Sequence, residues 1–390
     1  MRALDDQRLV VIGAVLALFA VGCGSNAPTH DNAEGGPPTT EPTDAGASDA
    51  GESSQDASSP DAGFGPGLLV GYYAEWKKSS FPASAIQWGT LTHLAEAFFL
   101  PEVDGGIANA GTLADDALVA AAHANGVKII ASVGGATGDF SASVVAPGPR
   151  ARTVAALALL CAEHGYDGVD IDWEFPDTGS ISAWVSLLDE LRTALDAVRP
   201  GLTLSSTIGP TPPNSDLPPL ASLNKLDWVE IMAYRYSDPS SDEVGFISPL
   251  DVPPDAGEGS VSETVHHLVV DRGVPASKLL LGLPFYGFEF EDGPPGTPVS
   301  SPSKVLELDD SSVLQMVGAP GWTLSWDTVA NAPSLTNGKL FLTYEDTQSI
   351  DTKCAFAHQS GLGGAMVWHM AQGVLADGSQ PLLEHAANCR

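Results

Sequence analysis

Residues 167–174 read Asp-Gly-Val-Asp-Ile-Asp-Trp-Glu. Asp170, Asp172 and Glu174 alternate with Val169, Ile171 and Trp173, and a period of two is the pattern of a strand. Successive strand side chains point to opposite faces, so the three carboxylates share one face, each roughly 6–7 Å from the next along the backbone. Like charges at that spacing on a buried strand cannot all ionise freely, and at least one pKa is expected to rise. A strand carrying this cost is expected at a site of acid chemistry. Asp167 is out of phase with the three and is expected to serve the turn or the opposite face. A calcium loop would need Asn, Asp and Gly alternating within a turn, then a spaced Glu. The apolar residues between the acids, and Phe175-Pro176 after them, argue against one.

From residue 67 onward short apolar runs alternate with Ala/Leu-rich stretches. Strands are expected near 68–74, 91–99, 127–133, 167–174, 202–208, 227–234, 278–285 and 363–369. Helices are expected near 113–124, 149–164 and 181–197, stopped by Asn125-Gly126, Gly165 and Pro200-Gly201. Eight strands alternating with helices predict parallel βαβ units closed into a (β/α)8 TIM barrel of the α/β class. In that fold functional groups gather at the C-terminal ends of the strands, which is where Glu174 falls on the fourth. The interval 288–340 is too long for a simple loop and carries one expected strand, near 339–344.

Other strand ends carry further signals. Ser132-Val133-Gly134-Gly135 closes the third strand, and paired glycines permit close approach of neighbouring groups. Tyr72 follows Gly71 on the first strand, and Phe98 lies on the second. Met232-Ala233-Tyr234 ends the sixth, where a Tyr hydroxyl is able to donate to a substrate carbonyl. Gly282 to Gly287 ends the seventh, and Gly363 to Trp368 the eighth, where a Trp can offer its face to a sugar ring.

The octet with Phe175-Pro176 resembles the signature of glycoside hydrolase family 18, the chitinase family. The Ser-x-Gly-Gly, Met-x-Tyr and terminal Trp motifs resemble that family's other strand ends, so the resemblance covers about 67–390. It implies hydrolysis of β-1,4 linkages between N-acetylglucosamine residues of chitin or chitooligosaccharides, with retention and with help from the substrate's own acetamido group. Glu174 is then the proton donor, Asp172 orients the acetamido N–H, and Asp170 supports Asp172. Tyr72 and Ser132 bond beneath Asp170, Tyr234 holds the acetamido oxygen, and Trp368 floors the pocket. Met232 and Phe98 complete the expected substrate-binding set. No cofactor or metal is called for. Three departures stand at the rim: Arg235 where the family has Asp or Asn, Phe288 where it has Arg, and His369 where it has Glu. The 288–340 insertion looks reduced, which favours internal over terminal cleavage. The alternatives are a relative acting on peptidoglycan, spore cortex or N-glycan, and a non-catalytic carbohydrate-binding barrel.

The ends and the composition bound the rest. Residues 1–22 read as a signal peptide, with an apolar run from Leu9 to Val21 after Arg2 and Arg8. Ala20-Val21-Gly22-Cys23 resembles a bacterial lipobox, which implies lipidation of Cys23 and a lipoprotein exported across the inner membrane. Residues 23–66 then form an acidic linker whose Pro, Gly, Ser, Thr and Ala cannot bury enough surface to order it. The net charge of −32 argues against nucleic acid and against electrostatic binding to anionic membranes. It fits a neutral polysaccharide, with membrane attachment only through lipid, and a monomer is expected. Export would place Cys354 and Cys389 in an oxidising compartment, while Cys161 lies in a helical stretch as a buried thiol.

Overall fold

The computed structural model describes residues 67–136, 140–254 and 259–390. The expected signal peptide, Cys23 and acidic linker lie outside the described residues. Eight parallel strands close into a barrel: β1 (Leu68–Ala74), β2 (His93–Phe99), β3 (Lys128–Gly134), β4 (Gly168–Asp172), β5 (Thr203–Ile208), β6 (Trp228–Ile231), β7 (Leu279–Pro284) and, last in the chain, β13 (Gly364–Trp368). Their order around the barrel follows the chain, with β13 closing it between β7 and β1. Each strand falls within a few residues of its expected position. Their runs of Val, Ile, Leu and Ala are buried on both faces, covered by helices outside and by side chains inside.

The two faces bury different things. Outward residues such as Leu69, Ile129, Val169, Leu204, Val229 and Leu281 join the helices in one apolar cluster. The helix Ile181–Val198 supplies Trp184, Leu187, Leu188, Leu191 and Leu195 to it. Their spacing of three and four is one stripe of a helix. Inward, Val70, Ile130 and Trp228 belong to a second cluster that fills the barrel interior. The next inward residue on each of these strands is polar: Tyr72, Ser132 and Glu230. The barrel is thus plugged by apolar side chains, and a polar layer begins one step nearer its C-terminal mouth.

The segment between β7 and β13 folds further than the single strand expected there. It forms a five-stranded antiparallel sheet in the order β10 (Thr323–Asp327), β11 (Ala332–Thr336), β12 (Phe341–Thr343), β8 (Tyr286–Phe290) and β9 (Val305–Asp309). Tyr286 and Gly287, read from sequence as the tail of the seventh barrel strand, open β8 instead. Phe285 ends the barrel ladder by bonding to the Trp368 carbonyl at 2.8 Å, and Gly287 then runs against Thr343. The edge strand β9 reaches the barrel mouth, where Asp309 meets Lys77 at 3.4 Å and Glu307 meets Arg235 at 3.5 Å.

Cys354 and Cys389 form a disulfide that ties the C-terminal turn to the helix Thr347–Gln359, and Cys161 is a buried free thiol. His266 and His267 hold no metal geometry: among the described residues no group of His, Cys, Asp or Glu is arranged to bind an ion.

Candidate active site

The acidic row stands where its period placed it. Asp170 and Asp172 point into the barrel from β4 and are almost fully buried, at 0% and 4% exposure. Glu174 lies just past the ladder, and its side chain is open to solvent at the mouth. Asp167, out of phase, serves the other end of the strand: it accepts from the Ile129 amide at 3.0 Å and meets His123 and Arg199.

Strand register explains the bonding beneath the row. Asp170 sits level with Ser132 on β3 and with Ser205 on β5. Both hydroxyls donate to it, Ser132 to Oδ2 at 2.8 Å and Ser205 to Oδ1 at 2.9 Å. Tyr72, from across the barrel, donates to Oδ2 at 2.9 Å. One step up, Thr207 donates to Asp172 Oδ1 at 2.5 Å. Gly134 and Gly135 allow the backbones to close here. A Cβ on Gly134 would lie 2.3 Å from the Asp172 carbonyl, and one on Gly135 2.4 Å from the Phe98 ring. Gly135 donates its amide to that same carbonyl at 2.8 Å, and both glycines take positive φ.

The electrostatics follow from burial. Burial raises the Asp170 pKa, opposed by the hydroxyls of Ser132, Ser205 and Tyr72. Asp172 is pushed well above the usual carboxylate range by burial, then by the charges of Glu174 and Asp170. Glu174 is raised too: protein packed around the mouth dehydrates it even though its tip reaches water, and the Arg235 guanidinium opposes the rise. A carboxyl that is solvent-reachable and whose pKa is raised above the ordinary range is equipped to act as a general acid.

Aromatic side chains build the floor. Trp368, at the end of β13, stacks on Phe98 with centroids 5.2 Å apart and meets Tyr72 edge-on at 5.4 Å. Trp76, just beyond β1, continues this surface: it stacks on Phe98 at 6.1 Å and is 53% exposed. Tyr234 is buried edge-on against Tyr286, and Gly282 leaves room for its ring. Burial and the nearby acids hold the Tyr234 hydroxyl well above its ordinary pKa, so it stays a donor. Met232 is buried in the interior cluster that Tyr234 also joins.

The three rim departures form their own arrangement. Arg235 lies over the Phe288 ring, 5.2 Å from its centroid, and grips Asp238 through Nε and Nη2 at 3.1 and 3.0 Å. It holds φ 63°, which costs a non-glycine residue roughly 1–2 kcal/mol and is offset by these contacts. His369 is buried edge-on to Trp76 and Trp368, and burial lowers its pKa to about 4, so it is neutral at working pH. Because Arg235 favours the Glu174 carboxylate, Arg235→Met should raise the Glu174 pKa. The alkaline limb of the rate profile would then move to higher pH, and a pH series of kcat/KM checks this. An unmoved limb would mean that the guanidinium is fully spent on Asp238 and Glu307.

Sequence reading missed four members of this site: Ser205, Thr207, Trp76 and Glu230. Ser205 and Thr207 carried a signal, hydroxyls two apart on one face of a strand. Glu230 carried another, a lone acid inside Trp228-Val229-Glu230-Ile231. It is fully buried on β6, its Oε1 accepts from Trp228 Nε1 at 2.7 Å, and its Oε2 touches the Tyr72 hydroxyl.

A closed parallel barrel with a carboxylate row at the C-terminal ends of its strands has the layout of an enzyme active site, and sequence comparison gives its family. The sequence model of Glycosyl hydrolases family 18 matches residues 68–373, and the chain belongs to that family. A chitinase-like effector of Moniliophthora roreri is 27% identical over 80% of this chain and 91% of its own. Chitinase A1 of Niallia circulans is 29% identical over 63% of this chain and 40% of its own. Among solved structures, catalytic domain 2 of the Ostrinia furnacalis Group II chitinase, crystallised as a variant with (NAG)5, superposes with a TM-score of 0.74. It is 22% identical and covers 82% of this chain and 95% of that one, a likeness of fold.

Proposed function

We propose that this protein hydrolyses β-1,4 linkages between N-acetylglucosamine residues, in chitin or in soluble chitooligosaccharides, with retention at the anomeric carbon. The observation that carries this reading is the placement of Glu174. It is the one member of the acidic row open to solvent, at the strand end, above two buried carboxyls, while Trp368 stacked on Phe98 ends β13 at the same mouth of the barrel. Glu174 donates its proton to the glycosidic oxygen. The substrate's acetamido oxygen attacks the anomeric carbon and forms an oxazolinium ion, the substrate-assisted route. Asp172 accepts the acetamido N–H and steadies the developing positive charge, while Tyr234 donates to the acetamido oxygen. Glu174, now a carboxylate, takes a proton from the water that opens the ring.

Relatives called chitinases, and a fold neighbour crystallised with an N-acetylglucosamine oligomer, support this choice of substrate class. The test is incubation of the protein with chitin oligomers and, separately, peptidoglycan, with product lengths read by mass spectrometry. Shortened oligomers of N-acetylglucosamine are expected, and mid-length products would identify internal cleavage. Fragments from peptidoglycan alone would move the assignment to that polymer. Since one relative is called a chitinase-like effector, binding without cleavage is the second reading; it predicts retention on chitin with no products.

Trp76 widens the aromatic surface beyond the single ring at Trp368. Trp76→Ala should raise KM for the longer oligomers by roughly 3–10-fold, the value of one aromatic contact, with kcat nearly unchanged. Steady-state kinetics on oligomers of increasing length measure this. An effect of equal size on the shortest cleavable substrate would contradict the placement.

A further inference from the structure

Glu230 has no part in the steps above, and it touches the machinery through one atom. We propose that Glu230 is a positioning residue: a buried, neutral carboxylic acid that donates to the Tyr72 hydroxyl, turns that hydroxyl's own hydrogen onto Asp170, and so keeps Asp170 ionised. The inference rests on the glycosidase reading for its kinetic consequence, but not for its structural one.

The hydrogens at the Tyr72 hydroxyl fix the protonation of its neighbours. The Tyr72 hydroxyl brings one hydrogen, yet two carboxyl oxygens face it, Asp170 Oδ2 and Glu230 Oε2. Tyr72, Asp170 and Glu230 are each no more than 1% exposed. With both acids ionised, one contact would set lone pair against lone pair out of reach of water, which is costly. A second hydrogen is therefore needed, and one of the two acids must carry it. Apart from the Tyr72 hydrogen under dispute, Asp170 accepts two hydroxyls, from Ser132 and Ser205, the surroundings of an anion. Apart from that hydrogen Glu230 has, among the described residues, one donor, the Trp228 indole on Oε1, and its Oε2, against the Tyr72 hydroxyl, is placed to be an O–H. The charged groups around it agree. Asp170 acts on Glu230 as a like charge, Asp172 and Tyr234 respond to it in the same sense, and no cation is among its influences. Burial and the Asp170 charge both push Glu230 toward the neutral form.

The chain then runs from the Glu230 carboxyl to the Tyr72 hydroxyl to the Asp170 carboxylate. With Asp170 held as the anion, any proton the row carries is left to Asp172 and Glu174, the groups that meet the substrate. No bond is made or broken by Glu230.

Gln reproduces this pattern: its oxygen accepts from Trp228 and its amide donates to Tyr72. Met fills similar volume and donates nothing. Infrared difference spectra at neutral pH should show a protonated-carboxyl C=O stretch in the wild-type protein that Glu230→Gln lacks. Glu230→Met removes the donor that polarises the Tyr72 hydroxyl toward Asp170, so it should lower kcat about fivefold, the scale of one neutral hydrogen bond, and move the acid limb of the profile to higher pH. Glu230→Gln should restore both. A merely space-filling residue would leave the limb in place in both variants. The proposal is overturned if the band is the same in wild type and Glu230→Gln, or if Glu230→Gln moves the limb as far as Glu230→Met. Should Glu230→Met fail to fold, the comparison of wild type with Glu230→Gln decides alone. Absence of hydrolysis in the wild type would overturn the glycosidase reading, while the spectrum would still decide Glu230.

Discussion

Glu174→Gln should lower kcat on N-acetylglucosamine oligomers by at least roughly 10³-fold, within the range for loss of a general acid, while leaving the dissociation constant for the same oligomers nearly unchanged. The amide is isosteric with the acid and keeps the contacts of the mouth, but it has no proton to give and cannot later take one from water. Both halves of the reaction lose the same group, so the effect should sit in kcat rather than KM. An aryl glycoside with a good leaving group should narrow the deficit, because its departure needs less protonation. Isothermal titration alongside steady-state kinetics makes the check. Turnover within tenfold of wild type would sink the assignment of Glu174.

Asp172→Asn should cost roughly 10²-fold in kcat, comparable to removal of one preorganised electrostatic contact. Asp172 is the only acid of the row bonded to Thr207, and it lies between the buried Asp170 and the solvent-facing Glu174. Its work is to receive the acetamido N–H and oppose the positive charge that grows on the ring; an amide oxygen can still accept the N–H but carries no charge to oppose that of the ring. The leaving group does not enter this role, so an activated aryl glycoside should leave the deficit as large as before. That contrast separates Asp172 from Glu174 with the same two substrates. If the better leaving group rescued both variants equally, the division of roles between them would be wrong.

The barrel was legible in the sequence because its strands are buried on both faces. Apolar runs such as Leu68–Val70 and Leu279–Leu283, set between helical stretches, leave a one-dimensional trace of a three-dimensional layer. The inserted sheet left a weaker trace. Its edge strands β9 and β10 are partly or fully exposed, and β11 contains Pro333. Proline lowers any strand signal, and the exposed edges β9 and β10 lack the apolar run that marks a buried strand.

The same physics divides the site. Period-two alternation placed Asp170, Asp172 and Glu174 on one face without knowledge of any partner, because strand geometry repeats locally. The fold class and the acidic row were therefore set by the sequence alone. Whether Arg235 faces water or Glu174, and whether Glu230 is a stray charge or the far end of a hydrogen-bonded chain, was not. Glu230 meets Tyr72 across 158 residues of chain. That meeting exists only because barrel closure brings β1 and β6 to opposite sides of one interior, where a hydrogen count can be made.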